Sequence, residues 1–147
     1  MALDLVRITH PLELLAVQKE VKPLFEKYCN RTKKYMPDME TGEIAWENAV
    51  TKSIFPDYYL YLIKDDGKFV GFYIGNLFRL PGFTVLYTVD FYIPGKGNEF
   101  RNILKAITKI LGADEIWGEA PENIYRVYRR NLKGATIKKA QVVRIKL

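Results

Sequence analysis

Apolar positions recur first at helical spacing and then at strand spacing, with the change of period near residue 55. Leu5 to Ile8 is a short apolar run that reads as a first strand. His10-Pro11 stops it, because proline biases the residue before it toward extended geometry. From Leu12 to Asn30 the residues Leu14, Val17, Val21, Leu24, Phe25 and Tyr28 recur at helical spacing, and Pro23 is expected to kink or divide the helix. Arg31 to Gly42 is polar and reads as a loop. Glu43 to Ile54 is a second helix with Trp46, Ala49, Val50 and Ile54 on one side, ended by Phe55-Pro56-Asp57.

Past that point the pattern is β-rich. Tyr58 to Ile63 reads as a strand, Asp65-Asp66-Gly67 as a hairpin turn, and Lys68 to Leu80 as the returning strand. Gly71 and Gly75 mark twist or bulge points in it. Pro81-Gly82 turns the chain into a strand from Phe83 to Ile93. Glu99 to Leu111 carries one stripe, Phe100, Ile103, Leu104, Ile107, Ile110 and Leu111, with Asn98 expected as its cap and Gly112 at its end. Asp114 to Glu119 reads as a strand, Asn123 to Leu132 as a helix and Ala135 to Leu147 as a last strand. The order β-α-α-β-β-β-α-β-α-β predicts an α/β fold with a single mixed sheet and helices on both faces. The sheet is antiparallel through the meander and parallel after the crossover.

Composition narrows this picture. The 147 residues fit one domain, 1–147, and 48% hydrophobic with 14% aromatic residues supports a real core. No apolar run approaches the ~18 residues of a membrane helix, and the first residues lack a secretory pattern. Cys29 is the one cysteine, so neither an intrachain disulfide nor a zinc cluster is expected, which suits a reducing, cytoplasmic setting. The net charge of +6 is uneven: from Pro121 to Leu147 eight Lys/Arg face Glu122 alone. A basic end of this kind suits a polyanionic partner: a phosphorylated cofactor, nucleic acid or an acidic protein surface.

One junction concentrates candidate chemistry. The strand Phe83–Ile93 runs into Pro94-Gly95-Lys96-Gly97 and then into a helix, which aims backbone N–H groups at one point and suits an anion, most often phosphate.

With the order of elements, this junction resembles the GNAT (Gcn5-related N-acetyltransferase) superfamily across nearly the whole chain. The segment Phe91-Tyr92-Ile93-Pro94-Gly95-Lys96-Gly97-Asn98-Glu99 stands where the family has its cofactor motif, with Glu99 at a position where one alignment places glycine. The resemblance implies acetyl-CoA as cofactor, its pyrophosphate held by Gly95, Lys96, Gly97 and Asn98 and its pantetheine arm along Phe91 to Ile93. Asn123-Ile124-Tyr125-Arg126-Val127-Tyr128 resembles the family's late helix. It implies a pantetheine contact from Asn123 and, from Tyr128, the proton for the departing thiolate. The family likeness extends to small viral and phage chains with eroded motifs, where the setting would be the host cytoplasm.

Acetyl transfer to an amine needs a base, a polarised thioester carbonyl and an acid for the thiolate. Asp90 and Glu119 are the carboxylates on the two strands that would flank the cofactor. Regular alternation puts Asp90 on the face of Thr88 and Tyr92, opposite Val89, Phe91 and Ile93. An acceptor pocket is expected from the paired helices, the loop and the meander, with Tyr35, Met36, Trp46, Phe72, Tyr73 and Phe78 as wall or core. His10 reads as structural and Cys29 as a buried thiol.

Two functions follow. One is an acetyl-CoA-dependent N-acetyltransferase acting on an amine of a small molecule or protein. The other is a GNAT-like module without catalysis, whose basic C-terminal region binds nucleic acid or an acidic protein. Neither calls for a membrane, and the sequence leaves assembly open, a homodimer included.

Overall fold

The first strand, β1 (Asp4–Ile8), stops where His10 and Pro11 start a helix. His10 accepts the amide of Leu12 on Nδ1 at 3.0 Å, and Glu13 reaches back to the amide and hydroxyl of Thr9 at 3.0 and 2.9 Å. Proline stands at the first helical position, where its missing N–H costs nothing. His10 is thus a helix cap. The computed structural model describes residues 3–118. The sequence-predicted sites at Glu119, Asn123 and Tyr128 and the basic C-terminal stretch lie outside the described residues.

The helical region divides at Val17, not at Pro23. The pieces are α1 (Pro11–Ala16) and α2 (Gln18–Thr32), and Val17 between them has left helical geometry, φ −112° and ψ 17°. Pro23 stays inside α2, where its side chain is exposed. Next comes α3 (Gly42–Lys52), capped by Thr41, whose hydroxyl accepts the amide of Ile44 at 3.3 Å. It ends at Lys52, short of Ile54, which is left exposed. Gly42 lies against α2 so closely that an added Cβ would sit 2.5 Å from the Cα of Glu26.

The meander is β2 (Tyr58–Asp65), β3 (Lys68–Leu80) and β4 (Phe83–Tyr92). Asp66 and Gly67 turn the first hairpin with φ of 51° and 77°, the two positive values that a tight two-residue turn requires. One 3₁₀ turn (Gly97–Glu99) leads into α4 (Phe100–Leu111), which Gly112 closes in left-handed geometry. The chain then enters β5 (Glu115–Gly118). The five strands form one sheet in the order β1-β2-β3-β4-β5, antiparallel except for the parallel pair β4–β5.

Helices cover both faces. On one face Leu60, Leu62, Phe72 and Ile74 of the sheet bury against Leu14, Val21, Phe25, Trp46 and Ala49 from α1, α2 and α3. On the other, Tyr61, Ile63, Tyr73 and Leu86 bury against Ile103, Leu104 and Ile107 of α4. This is the predicted α/β single mixed sheet.

Two register shifts bend it. Val70 is an extra residue in β3, since Ile63 lies opposite Gly71 and Lys64 opposite Phe69. Val89 is an extra residue in β4, since Ile74 lies opposite Asp90 and Gly75 opposite Thr88. Such bulges kink a strand and re-aim its side chains.

Candidate functional site

The bulge at Val89 decides what β4 presents to each side. In a regular strand Thr88 and Asp90 would share a face. Here one inserted residue separates them, which corrects the expectation from alternation. Thr88 turns to the α4 side, where its hydroxyl and that of Tyr73 are 3.0 Å apart. Asp90 turns to the α2/α3 side with Tyr92, and its Oδ1 accepts the hydroxyl of Tyr28 at 2.7 Å. Phe91 and Ile93 face α4, as alternation expects; Phe91 stacks on Phe100 with ring centroids 4.5 Å apart.

Asp90 borders a cavity of about 120 Å³ enclosed by α2, α3 and the sheet. Its apolar wall includes Phe25, Phe72, Ile74 and Val89; its polar groups come from Tyr28, Glu40, Asn48, Lys52, Tyr58 and Asp90. Asn48 donates to Oε2 of Glu40 at 3.0 Å, which fixes one oxygen of that carboxylate. Burial pushes the Asp90 carboxyl above the ordinary aspartate range. The Tyr28 hydrogen bond opposes this, Glu40 adds to it, and Lys52 opposes it. Burial likewise raises Tyr28 and Tyr58, with the negative charge of Asp90 adding to each. Cys29, fully buried beside this group, is pushed up to about 11 by burial. It is a core thiol, as its lack of a motif suggested.

Of the six residues expected to wall an acceptor pocket, Phe72 lines this cavity. Trp46 and Tyr73 are buried in the two cores, while Tyr35, Met36 and Phe78 are exposed. Tyr28, Glu40, Asn48, Lys52 and Tyr58 were not legible as site residues in the sequence. One signal was available for Tyr28. It stands in an otherwise aliphatic and aromatic stripe, and a buried phenol requires a partner for its hydroxyl.

The second region is the turn after β4. Lys96 donates its amide to the carbonyl of Ile93 at 3.3 Å, with Pro94 second and Gly95 third at φ 72°, the residue pattern of a type II turn. The amides of Gly95, Gly97 and Asn98 donate to no backbone carbonyl among the described residues. A Cβ at Gly95 or Gly97 would meet nothing within 4 Å, so the backbone there is open to close approach. The Lys96 ammonium is drawn aside: it pairs with Asp65, on the first hairpin, at 2.7 Å. Asn98 does not cap α4. It lies within the 3₁₀ turn, and the cap position is taken by Glu99, whose Oε2 accepts the side-chain amide of Asn102 at 3.4 Å.

Among the described residues no group of three or more His, Cys, Asp and Glu could hold a metal ion. Nor, among them, is any helix long and apolar enough to cross a membrane.

No protein-family model and no curated protein matches the sequence. Solved structures do. A ribosomal-protein-alanine N-acetyltransferase from Brucella melitensis biovar Abortus 2308 is 17% identical, with a TM-score of 0.66 over 99% of this chain and 100% of that one. A GNAT family acetyltransferase from Staphylococcus aureus is 12% identical, with a TM-score of 0.68 over 99% and 100%. AAC(6')-Iy, in complex with the bisubstrate analog CoA-S-monomethyl-acetylneamine, is 10% identical, with a TM-score of 0.61 over 100% of both chains. The chain therefore has the fold of the GNAT acyl-CoA N-acyltransferases, and its structural neighbours are acetyltransferases.

Proposed function

We propose that this protein is an acetyl-CoA-dependent N-acetyltransferase acting on an amine of a small molecule or protein. The observation that carries the reading is the Asp90 carboxylate. It stands one residue past the β4 bulge, at the edge of a cavity, on the strand that ends in an amide-lined turn. A carboxylate so placed can take the proton from an incoming ammonium group. Burial lifts its basicity toward what such a base needs.

The turn fits the cofactor's phosphates. The amides of Gly95, Gly97 and Asn98 supply donors, and open space over Gly95 and Gly97 lets an anion approach the backbone. Lys96 contributes less than its charge suggests while Asp65 holds it. Acetyl-CoA supplies the activated acetyl thioester. Phe91 to Ile93 would border its pantetheine arm. Backbone N–H groups of this segment would then be the donors toward the acyl oxygen. By the sequence resemblance, Asn123 adds a pantetheine contact and Tyr128 the proton for the thiolate, with Glu119 a second candidate base.

The test is direct. At ~100 times its dissociation constant a ligand adds ~2.7 kcal/mol of stability, which at this size is a rise in Tm of several degrees. Acetyl-CoA should produce that rise, and a primary amine should then release free thiol from it. Absence of any thermal shift at millimolar acetyl-CoA overturns the proposal. Tyr128→Phe should slow turnover without weakening acetyl-CoA binding.

A further inference from the structure

We propose that Tyr28 is a positioning residue for the base: its hydroxyl fixes one oxygen of Asp90, so that the other is presented to the cavity as the proton acceptor. The inference rests on the acetyltransferase reading for its consequence, but the geometry stands without it. Tyr28 is on α2 and Asp90 on β4, 62 residues apart, and their 2.7 Å hydrogen bond ties the helix layer to the bulged strand.

Tyr28 is itself held. Its ring packs edge-on against Phe72 at 5.4 Å and tilted against Tyr92 at 5.6 Å. Phe72 in turn stacks on Phe25 with centroids 4.1 Å apart. The hydroxyl is therefore delivered from a fixed direction, and a carboxylate with one oxygen tethered has lost the rotation that would otherwise scatter its second oxygen.

The surroundings make this tether chemically relevant. Asp90 is faced by Tyr28 and Cys29 from α2, Glu40 from the segment before α3, Lys52 from α3 and Tyr58 from β2. Of these, Glu40 disfavours the ionised form, as burial does. Lys52 and the Tyr28 hydroxyl favour it. Lys52 is exposed, so solvent screens its charge, whereas the Tyr28 donor is in direct contact. Tyr28 thus favours the ionised form of the half-buried Asp90 as well as orienting it.

The test is Tyr28→Phe, which keeps the ring and removes the donor. Three results are expected. The acid limb of the pH–rate profile moves up by about one unit, in line with the loss of a hydrogen bond to a charged acceptor. Turnover of a simple alkylamine stays reduced, by about tenfold, even above that limb, because orientation is lost too. The KM for acetyl-CoA stays within about twofold. A purely structural tyrosine would not move the acid limb.

A second measurement needs no activity. The side-chain carboxyl carbon of Asp90 is titrated by NMR in wild type and in Tyr28→Phe, with the wild-type Tyr28 hydroxyl followed through the same midpoint. An upward shift in the variant supports the proposal. Superimposable Asp90 titrations, or a Tyr28 hydroxyl that ignores the Asp90 midpoint in the wild type, overturn it. The wild-type experiment decides the matter even if the variant fails to fold. Failure of acetyl-CoA to bind would remove the acetyltransferase reading, while the NMR titration would still decide whether Tyr28 and Asp90 act as a pair.

Discussion

Gly71→Ala should be among the most damaging single-methyl additions in the sheet. A Cβ at position 71 would lie 2.1 Å from the carbonyl oxygen of Tyr92 and 3.2 Å from the Cα of Ile93. Ordinary carbon–oxygen contact is ~3.3–3.6 Å, so β3 and β4 must part by about 1 Å at this point. The obstacle is backbone and cannot rotate away. Overpacking of this kind costs ~1–3 kcal/mol. Opening the neighbouring Phe72–Tyr92 and Tyr73–Phe91 pairs adds ~1 kcal/mol for each hydrogen bond weakened. We expect a loss of about 3–4 kcal/mol, or about 10 °C in Tm at this chain length, by circular dichroism and urea unfolding. Gly97→Ala is the matched control: nothing lies within 4 Å of an added Cβ, and φ is not positive there. Its melting temperature should stay within about 2 °C of wild type, while acetyl-CoA affinity falls because the methyl occupies the approach to the amides. If Gly71→Ala melts within 2 °C of wild type, the close approach of β3 to the end of β4 does not constrain position 71.

Asp90→Asn should separate stability from activity. The folded-state pKa of Asp90 is raised, so the stability this group contributes is full below its unfolded value and is lost as pH rises through the folded value. The asparagine variant should therefore match wild type in acid and melt higher than it at pH 8, yet release no thiol; a variant that melts lower at pH 8 than at pH 4, relative to wild type, reverses the sign and refutes a raised pKa. Phe72→Ala should cost ~3–5 kcal/mol, because Phe72 is fully buried between Phe25 and Tyr28; a loss under 1 kcal/mol by urea unfolding would contradict that. Asp65→Asn should release Lys96, costing no more than ~1 kcal/mol of stability. It should tighten acetyl-CoA binding and steepen its salt dependence in titration calorimetry. Weaker binding would show instead that the ion pair sets the turn's shape.

The strand order and the covering of both faces were legible in the sequence because each rests on local signals. Asp66-Gly67 and Pro81-Gly82 force reversals, and the Phe100 to Leu111 stripe demands a sheet to bury against. The division at Val17 was not legible, since Val17 continues the helical spacing and Pro23 looked the stronger breaker. The Val89 bulge was invisible for a related reason. Thr88-Val89-Asp90 contains no glycine or proline, and the flagged glycine, Gly75, lies across the ladder on the partner strand. Asp90 could be named as a candidate base because it is the one carboxylate on β4, a strand that would flank the cofactor. Its partners could not, because Tyr28, Glu40, Lys52 and Tyr58 meet only when the helix layer closes on the sheet.

The site sits where three departures from regular sheet geometry coincide: the Val89 bulge, the close approach that Gly71 permits, and the Pro94-Gly95 turn that ends the strand. Each serves a different requirement. The bulge sends Thr88 to the α4 core and Asp90 to the cavity, so residues two apart on one strand serve opposite faces of the sheet. Gly71 lets β3 support the end of β4 without a side chain between them. The turn stops the ladder and leaves the amides of Gly95, Gly97 and Asn98 without a backbone acceptor among the described residues. A fully regular β4 would bond more of its backbone and would not hold a half-buried carboxylate whose burial opposes its charge. Among the described residues this carboxylate is tethered by the Tyr28 hydroxyl and not by an ion pair. An ion pair would occupy the oxygen that the tether leaves free.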